Sequence, residues 1–208
     1  MKHFSIVVLT TLLFTSCGPT IYKSENFKDS KSTVHIVAIL PFSVSIDSKR
    51  LPKGQTIETL RDAQQKTGYD IQNNVYTWFL HRQNEYSVTF QDIDKTNAIL
   101  TKANITYDNI IMQEKGELCK LLNVDAVISG KAVMSKPMSE AGAIAVEVLV
   151  GFGGATNKTD VTLTIHDIKS SLLWKYDHQV SGSLGSSPEK LTNALMRNSS
   201  KNFPYKKK

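Results

Sequence analysis

Residues 34–42 read VHIVAILPF, and this stretch decides the fold class that the sequence predicts. It is β-branched and almost entirely apolar, which is typical of a central strand covered on both faces. Residues 124–134, VDAVISGKAVM, predict a second strand rich in valine and isoleucine. Pro41 is expected to end the first strand, because proline has no N–H to donate to a ladder. Residues 47–56 are expected to form a loop.

The sequence after this loop has the pattern of a helix over residues 57–84, with Thr56 as its N-cap. Gly68 leaves open whether this stretch is one helix or two. Four apolar residues have the i, i+4, i+7, i+8 spacing of one helix face. They are Ile71, Val75, Trp78 and Phe79.

A short strand is expected over residues 88–93, followed by two further helices. Asp94 or Thr96 would cap the first of these, which ends near residue 103. Thr106 would cap the second, which ends at Leu122, and Asn123 has the position of its C-cap.

The C-terminal part predicts a hairpin and a last helix. Residues 159–166, TDVTLTIH, alternate apolar and polar side chains, and residues 172–180 form a second strand after a short turn. Ser187 and Pro188 have the N-cap and first positions of a helix. The predicted element order is β α β α α β α β β α. It indicates an α/β fold, a mixed sheet with helices packed on it, in one domain over residues 33–205.

The N-terminus has the order of a secretory signal, with basic residues first and then an apolar run over residues 4–14. That run is too short for a membrane span, which needs ~20 residues. Residues 14–17, FTSC, resemble the lipobox of bacterial lipoproteins, with Phe14 in place of the usual leucine.

The lipobox resemblance implies that residues 1–16 are a signal peptide and that Cys17 becomes the lipid-modified first residue. The lipid bilayer is then a partner through acylated Cys17, since two or more acyl chains anchor a protein stably. Residues 17–32 are expected to be a flexible tether that holds the domain roughly 20 Å from the membrane.

Charge and cysteine content indicate which partners and which cysteine chemistry to expect. The formal net charge is +6, and part of the excess lies in a basic tail at residues 206–208, expected to be solvated. There is no basic stripe interleaved with aromatic residues, so nucleic acid is not expected as a partner. With Cys17 acylated, Cys119 has no cysteine to pair with, and it is expected to be a buried thiol.

Residues 137–157, PMSEAGAIAVEVLVGFGGATN, leave two interpretations open. The stretch fits an amphipathic or buried helix, and it also fits a surface for self-association or membrane contact. Its glycines do not have the spacing of a phosphate-binding loop. The candidate self-association residues are Ala141, Ile144, Val148, Leu149 and Phe152.

The lipobox, VHIVAILPF, LLNVDAVISGKAV at 121–133 and the hairpin together resemble a group of envelope proteins. The group contains the curli-secretion channel lipoprotein, the penicillin-binding-protein activator lipoproteins and the TolB N-terminal domain. LWKY at 173–176 and FPY at 203–205 are closest to a neisserial-type lipoprotein family of unknown function. The resemblance implies an anticodon-binding-like, TolB N-terminal-like α/β sandwich with a role in envelope assembly or transport.

The sequence has no recognisable catalytic set. Its five histidines are spread along the chain without a metal-ligand spacing. His166 and Asp167 are adjacent on a strand, so their side chains point to opposite faces. Asp92 and Asp94 fit capping and turn roles as well as a metal site. No enzyme activity, catalytic residue, metal or cofactor is therefore expected.

The expected function is a non-enzymatic envelope assembly or binding module, anchored in the outer membrane and facing the periplasm. Gly18 directly after Cys17 is not the aspartate associated with inner-membrane retention. The alternative function is a homo-oligomeric component of an envelope transport or secretion apparatus. The envelope protein partner is not identified by the sequence.

Overall fold

The structure is a computed structural model, and it describes residues 18–25, 27–47, 56–135, 158–181 and 187–207. Within these ranges it contains seven strands and five α-helices. In chain order they are β1 Thr20–Lys23, α1 Phe27–Thr33, β2 Ile36–Ile39, β3 Ser43–Asp47, α2 Ile57–Leu80, β4 Thr89–Phe90, α3 Ile93–Lys102, α4 Lys115–Leu122, β5 Ala126–Ser135, β6 Lys158–Asp167, β7 Leu172–Ser181 and α5 Pro188–Ser199.

All seven strands belong to one mixed sheet with the order β1-β7-β6-β5-β2-β4, and β3 also pairs with β5. Strands β2, β3, β4 and β5 run parallel to one another, whereas the pairs β5–β6, β6–β7 and β7–β1 are antiparallel. The predicted α/β class, a mixed sheet with helices packed on it, is confirmed. The β6–β7 hairpin and the central position of β2 are confirmed as well.

Strand β2 ends at Ile39, just before Pro41, as predicted, but the sequence did not predict the strand that follows at Ser43. The ladder of β2 lapses only over residues 40–42, and the chain then resumes along the same edge of β5 as β3. Ile39 lies opposite Ile128, and Ser43 lies opposite Lys131. The chain from β2 to β3 therefore contains one residue more than the part of β5 that it faces. Proline is tolerated here because this irregular step needs no N–H at residue 41.

Phe42 fills the space created by that step. A Cβ on Gly130 would lie 2.0 Å from Cε1 of the Phe42 ring, so β5 needs a residue without a side chain at this point. On the other side, a Cβ on Gly68 would lie 2.2 Å from the carbonyl oxygen of Phe42. Of the two alternatives that the sequence left open, one helix or two, the structure has one. Helix α2 runs unbroken through Gly68, which permits close approach to the sheet.

The sheet separates two hydrophobic cores. Helices α2 and α5 pack on one face, and Ile71, Val75 and Leu195 are at most 1% exposed there. Helices α3 and α4 pack on the other face, where Leu118 and Leu122 contact β2 and the beginning of β5. This second core is smaller, and it ends before the sheet does.

An aromatic cluster closes the first core. The Phe79 ring stacks on Phe90 with centroids 4.1 Å apart and contacts Tyr86 and Phe203 at 5.1 and 4.9 Å. Such pairs contribute ~0.5–1.5 kcal/mol each beyond their burial.

The C-terminal chain stays attached beside this cluster. Lys207 is exposed, as expected for a solvated tail, but the backbone of Lys206 and Lys207 is held in place. Lys206 forms an isolated antiparallel β-bridge with Tyr86, and the Lys207 N–H donates to the Glu85 carbonyl oxygen at 2.8 Å. Lys208 lies outside the described residues.

Within the flexible tether predicted over residues 17–32, residues 20–23 form a strand and a helix begins at Phe27. Strand β1 pairs with β7, with Thr20 opposite Asp177 and Lys23 opposite Trp174. Helix α1 follows, and its Phe27 is 2% exposed, with its ring centroid 5.4 Å from that of Tyr205. A single buried aromatic residue and one free sheet edge order this segment, although its sequence is mostly polar.

The predicted caps are confirmed at Thr56, Ser187 and Asn123, the last with φ 53°. Two boundaries are different. The strand over 88–93 shrinks to two residues, because Asp92 caps α3 through the N–H groups of Asp94 and Lys95. The helix expected from Thr106 starts only at Lys115, after a 3₁₀ turn at Ile110–Met112.

Replacing Gly130 by alanine should destabilise the protein by ~1–3 kcal/mol, because the added methyl group overpacks the Phe42 site. Urea unfolding measures this cost, and Ser129→Ala, on the opposite face of the same strand, is the matched control. In a Phe42→Leu background the cost of Gly130→Ala should fall. An equal cost in both backgrounds would contradict the proposed contact.

Candidate functional site

One part of the sheet surface is polar and faces solvent. Along β6, residues 159, 161, 163 and 165 are buried, whereas residues 160, 162, 164 and 166 are exposed or half-buried. The second set lies on the face that α3 and α4 cover only in part. Beyond the reach of α4, no helix that the structure describes covers this face.

Strand register places polar side chains side by side across this surface. Lys131, Thr162 and Asp177 are neighbours on β5, β6 and β7. A parallel row carries Ser129, Thr164 and Lys175, and Asp160 lies opposite Gln179. We call this surface the polar face. Its residues are Ser129, Lys131, Asp160, Thr162, Thr164, Lys175, Asp177 and Gln179.

Side-chain hydrogen bonds hold the polar face in place. The Thr162 hydroxyl donates to Asp177 Oδ1 at 2.6 Å, and the Lys175 ammonium lies 2.9 Å from Asp177 Oδ2. Burial opposes ionisation of Asp177, but the two contacts outweigh it and lower the pKa of its carboxyl group. The carboxylate is therefore charged and already partnered, which leaves it poorly suited to accept a proton.

A groove of about 210 Å³ opens where the polar face meets the α3–α4 layer. Its floor is the sheet, and the 3₁₀ turn before α4 forms one wall. Two lysines and no carboxylate occur among its described lining residues. They are Leu40, Pro41, Ser43, Ile110, Ile111, Lys115, Ser129, Gly130, Lys131, Thr162 and Thr164.

The two lysines of the groove differ in their surroundings. The Lys115 ammonium donates to the carbonyl oxygens of Gln113 and Ile110 at 3.2 and 3.4 Å, and burial lowers its pKa. Lys131 is exposed, and its ammonium group has no hydrogen bond or ion pair within the described part of the chain. Lys131 and the hydroxyls of Ser129, Thr162 and Thr164 can therefore receive an anionic or hydroxyl-rich group against an apolar wall.

Cys119 on α4 and His166 on β6 lie next to each other where α4 packs on this face. Cys119 is 0% exposed, its Sγ is 3.9 Å from the His166 carbonyl oxygen, and burial raises the pKa of the thiol to about 12. The predicted buried thiol is confirmed. Burial and the nearby Lys115 charge lower the pKa of the His166 ring.

The other candidate residues have different outcomes. Cys17 and the five candidate self-association residues lie outside the described residues, so their roles remain predictions. Asp92 has the capping role that we considered, with its side chain on the α3 N-terminus. In the described ranges, no three His, Cys, Asp or Glu side chains are grouped so that they could hold a metal ion. No described helix has the length and apolarity to cross a bilayer.

Sequence reasoning missed the polar face and the groove. The alternation of residues 159–166 predicted a half-exposed strand, and this was the only available signal. Nothing in the sequence indicated that α4 ends short of Thr162 and Thr164, or that Lys131 would lie beside them. These positions depend on the register of three strands from distant parts of the chain.

Neither a protein-family model nor a curated protein sequence matches this chain. Among solved structures, it is similar to the lipoprotein GNA1162 from Neisseria meningitidis. The identity is 8% and the TM-score 0.48, over 80% of this chain and 94% of that one.

Two other solved structures are similar as well. The LpoB C-terminal domain from Salmonella enterica has 9% identity and a TM-score of 0.36, over 71% of this chain and 83% of that chain. A PelC dodecamer from Paraburkholderia phytofirmans has 12% identity and a TM-score of 0.42, over 91% and 99%. These structures include members of the group that the sequence resembles. The fold assignment itself rests on the strand pairing described above.

His166 should make the folded protein sensitive to mild acid. Its pKa is lowered from an ordinary value of 6.5, so below that pH the unfolded chain binds more protons than the folded one. The free energy of unfolding should therefore fall as the pH drops from 6.5 towards the lowered pKa. Urea unfolding at several pH values measures this, and a His166→Gln variant should lack that part of the loss. An unchanged pH profile in the variant would contradict this role.

Proposed function

We propose that this chain is a membrane-anchored lipoprotein that acts as a non-enzymatic binding or assembly module of the bacterial envelope, with the polar face and its groove as the partner surface. One observation carries the proposal. The sheet is packed by helices along one face, whereas the described structure leaves hydroxyl, amide and charged side chains open on the other. A surface fixed by internal hydrogen bonds costs little further ordering when a partner binds.

The groove suits binding more than catalysis. The polar side chains that line it carry hydroxyl and ammonium groups, and Asp177, which accepts from the lining residue Thr162, also pairs with Lys175. The thiol nearby is Cys119, which is buried and whose raised pKa keeps it protonated. These groups can orient a ligand, but they form no nucleophile and base pair.

The anchor part of the proposal depends on Cys17. The lipobox resemblance indicates acylation there, and strand β1 begins at Thr20, three residues later. The proposed place is the outer membrane with the domain in the periplasm, for which Gly18 in place of an aspartate is the support. An acyl anchor keeps such a domain at the bilayer without a spanning helix.

A photo-crosslinking residue at the position of Lys131 should give a defined adduct with an envelope partner in cells that express the full chain. The matched control is the same residue at Lys201, which is also an exposed lysine but lies beyond α5. Cys17→Ala should move the protein out of the membrane fraction and abolish the adduct. Equal adducts from both lysine positions, or a Cys17→Ala protein still bound to membranes, would contradict the proposal.

The alternative function, a homo-oligomeric transport or secretion component, is favoured by one further observation. Strand β1 is at the edge of the sheet, and its Ile21 and Tyr22 are 41% and 49% exposed. Exposed edge strands with apolar side chains tend to pair with another strand. A second copy of this chain could use that edge, and residues 137–157 remain the other candidate contact.

Sedimentation of the unacylated chain over a range of concentrations tests this alternative. Self-association through β1 should be weakened by Ile21→Lys, which places a charge on the exposed edge. Ile168→Lys, at a similarly exposed isoleucine in the β6–β7 turn, is the control. A protein that remains monomeric at high concentration would contradict the homo-oligomeric function.

A further inference from the structure

The pairing of β1 limits how far the domain can be from an anchor at Cys17. Only Gly18 and Pro19 separate Cys17 from Thr20, the first residue of the strand. Three residues span at most ~10 Å, even when fully extended. The long tether predicted from the sequence is therefore replaced by a short connection that starts at the edge of the sheet.

Strand register shows which end of the sheet this connection leaves. Thr20 lies opposite Asp177 and the strands are antiparallel, so the chain before Thr20 runs towards Ser181. Ser181 is four residues beyond Asp177, which is ~13 Å along the strand. The connection from residue 17 to Thr20 is therefore no longer than the distance from Thr20 to the level at which β7 ends.

Three other strands end at the same level. Ser181 pairs with Lys158, Lys158 pairs with Ser135, and Ser135 pairs with Asp47. Four strand ends thus lie in one row across the sheet. We call this row, with the first turn of α2, the anchor end.

Helix α2 brings an apolar side chain to the anchor end. Gly68 contacts Phe42, and Phe79 stacks on Phe90 beside β2, so α2 runs antiparallel to β2 and β3. Ile57 is eleven residues before Gly68, or ~16 Å along a helix. Asp47 is five residues beyond Phe42, or ~16 Å along a strand. Ile57 is therefore level with Asp47, and it is 75% exposed, more than any other isoleucine that the structure describes.

We propose that the anchor end faces the bilayer, with Ile57 at the boundary between headgroups and acyl chains and the sheet standing end-on to the membrane. This rests on the proposed acylation of Cys17. The occupant of the surface is a phospholipid bilayer. The polar face then runs along the membrane normal, so a partner reaches the groove from the side. The β6–β7 turn, with Ile168, lies at the end away from the membrane.

Fluorescence quenching by lipids tests this orientation. The full acylated chain is reconstituted into vesicles of phosphatidylethanolamine and phosphatidylglycerol that contain a doxyl-labelled phospholipid. One thiol-reactive dye is attached to Ile57→Cys and, in a separate protein, to Ile168→Cys. Both sites are exposed isoleucines, Cys17 is blocked by lipid, and the buried Cys119 is unreactive, so each protein carries one label.

The dye at position 57 should lose fluorescence in doxyl-containing vesicles, and the dye at position 168 should not. Ten Gly-Ser residues inserted between Pro19 and Thr20 lengthen the connection by roughly 17 Å and should reduce the quenching at position 57. Equal quenching at both positions, or none at position 57, would overturn the orientation. Mass spectrometry of the same samples distinguishes failure of the orientation from failure of the proposed acylation. A Cys17 without acyl chains would contradict the proposed lipid anchor itself.

Discussion

The antiparallel pairing of β1 with β7 is the constraint on which the functional account depends. It makes residues 20–23 part of the sheet, although they follow the predicted lipid anchor by only three positions. Helix α1 strengthens the pairing, because Phe27 enters the main core and the Lys23 ammonium lies 4.3 Å from the centre of its ring. A lipid on Cys17 would therefore restrict the position of the whole domain relative to the bilayer, because β1 is part of the same sheet as the other strands.

The two faces of the sheet differ, because one forms most of the hydrophobic core and the other carries the polar surface. One face is filled by α2, α5 and the aromatic cluster around Phe79, which supply most of the apolar burial. Among the described residues, those that fill the other face, Cys119 and Leu118 included, lie beside β2 and the start of β5. The remaining area is free to carry hydroxyl and charged groups without loss of core. A binding module needs this division, since its surface can change while its core is kept.

Much of the architecture could be predicted from the sequence because its signals are local. The apolar runs at β2 and β5 indicated central strands, and Thr56, Asn123 and Ser187 marked helix ends through their own backbone chemistry. The predictions failed where distant residues decide. Strand β3 directly after Pro41 was not predicted, and Gly68, where the sequence left a break open, lies inside one helix that needs it for contact with Phe42. The segment before residue 33 was expected to be unstructured because its partners, β7 and Tyr205, lie over 140 residues away.

Amide hydrogen exchange over residues 20–23 is the most direct test of the central claim, which is that the sheet begins three residues after Cys17. In the purified protein, alternate amides of this segment should exchange slowly, as expected for donors in a ladder with β7. Exchange at the rate of an unstructured chain, while β6 and β7 stay protected, would show that residues 20–23 are a free tether. The short connection, and the placement of the domain that follows from it, would then be wrong.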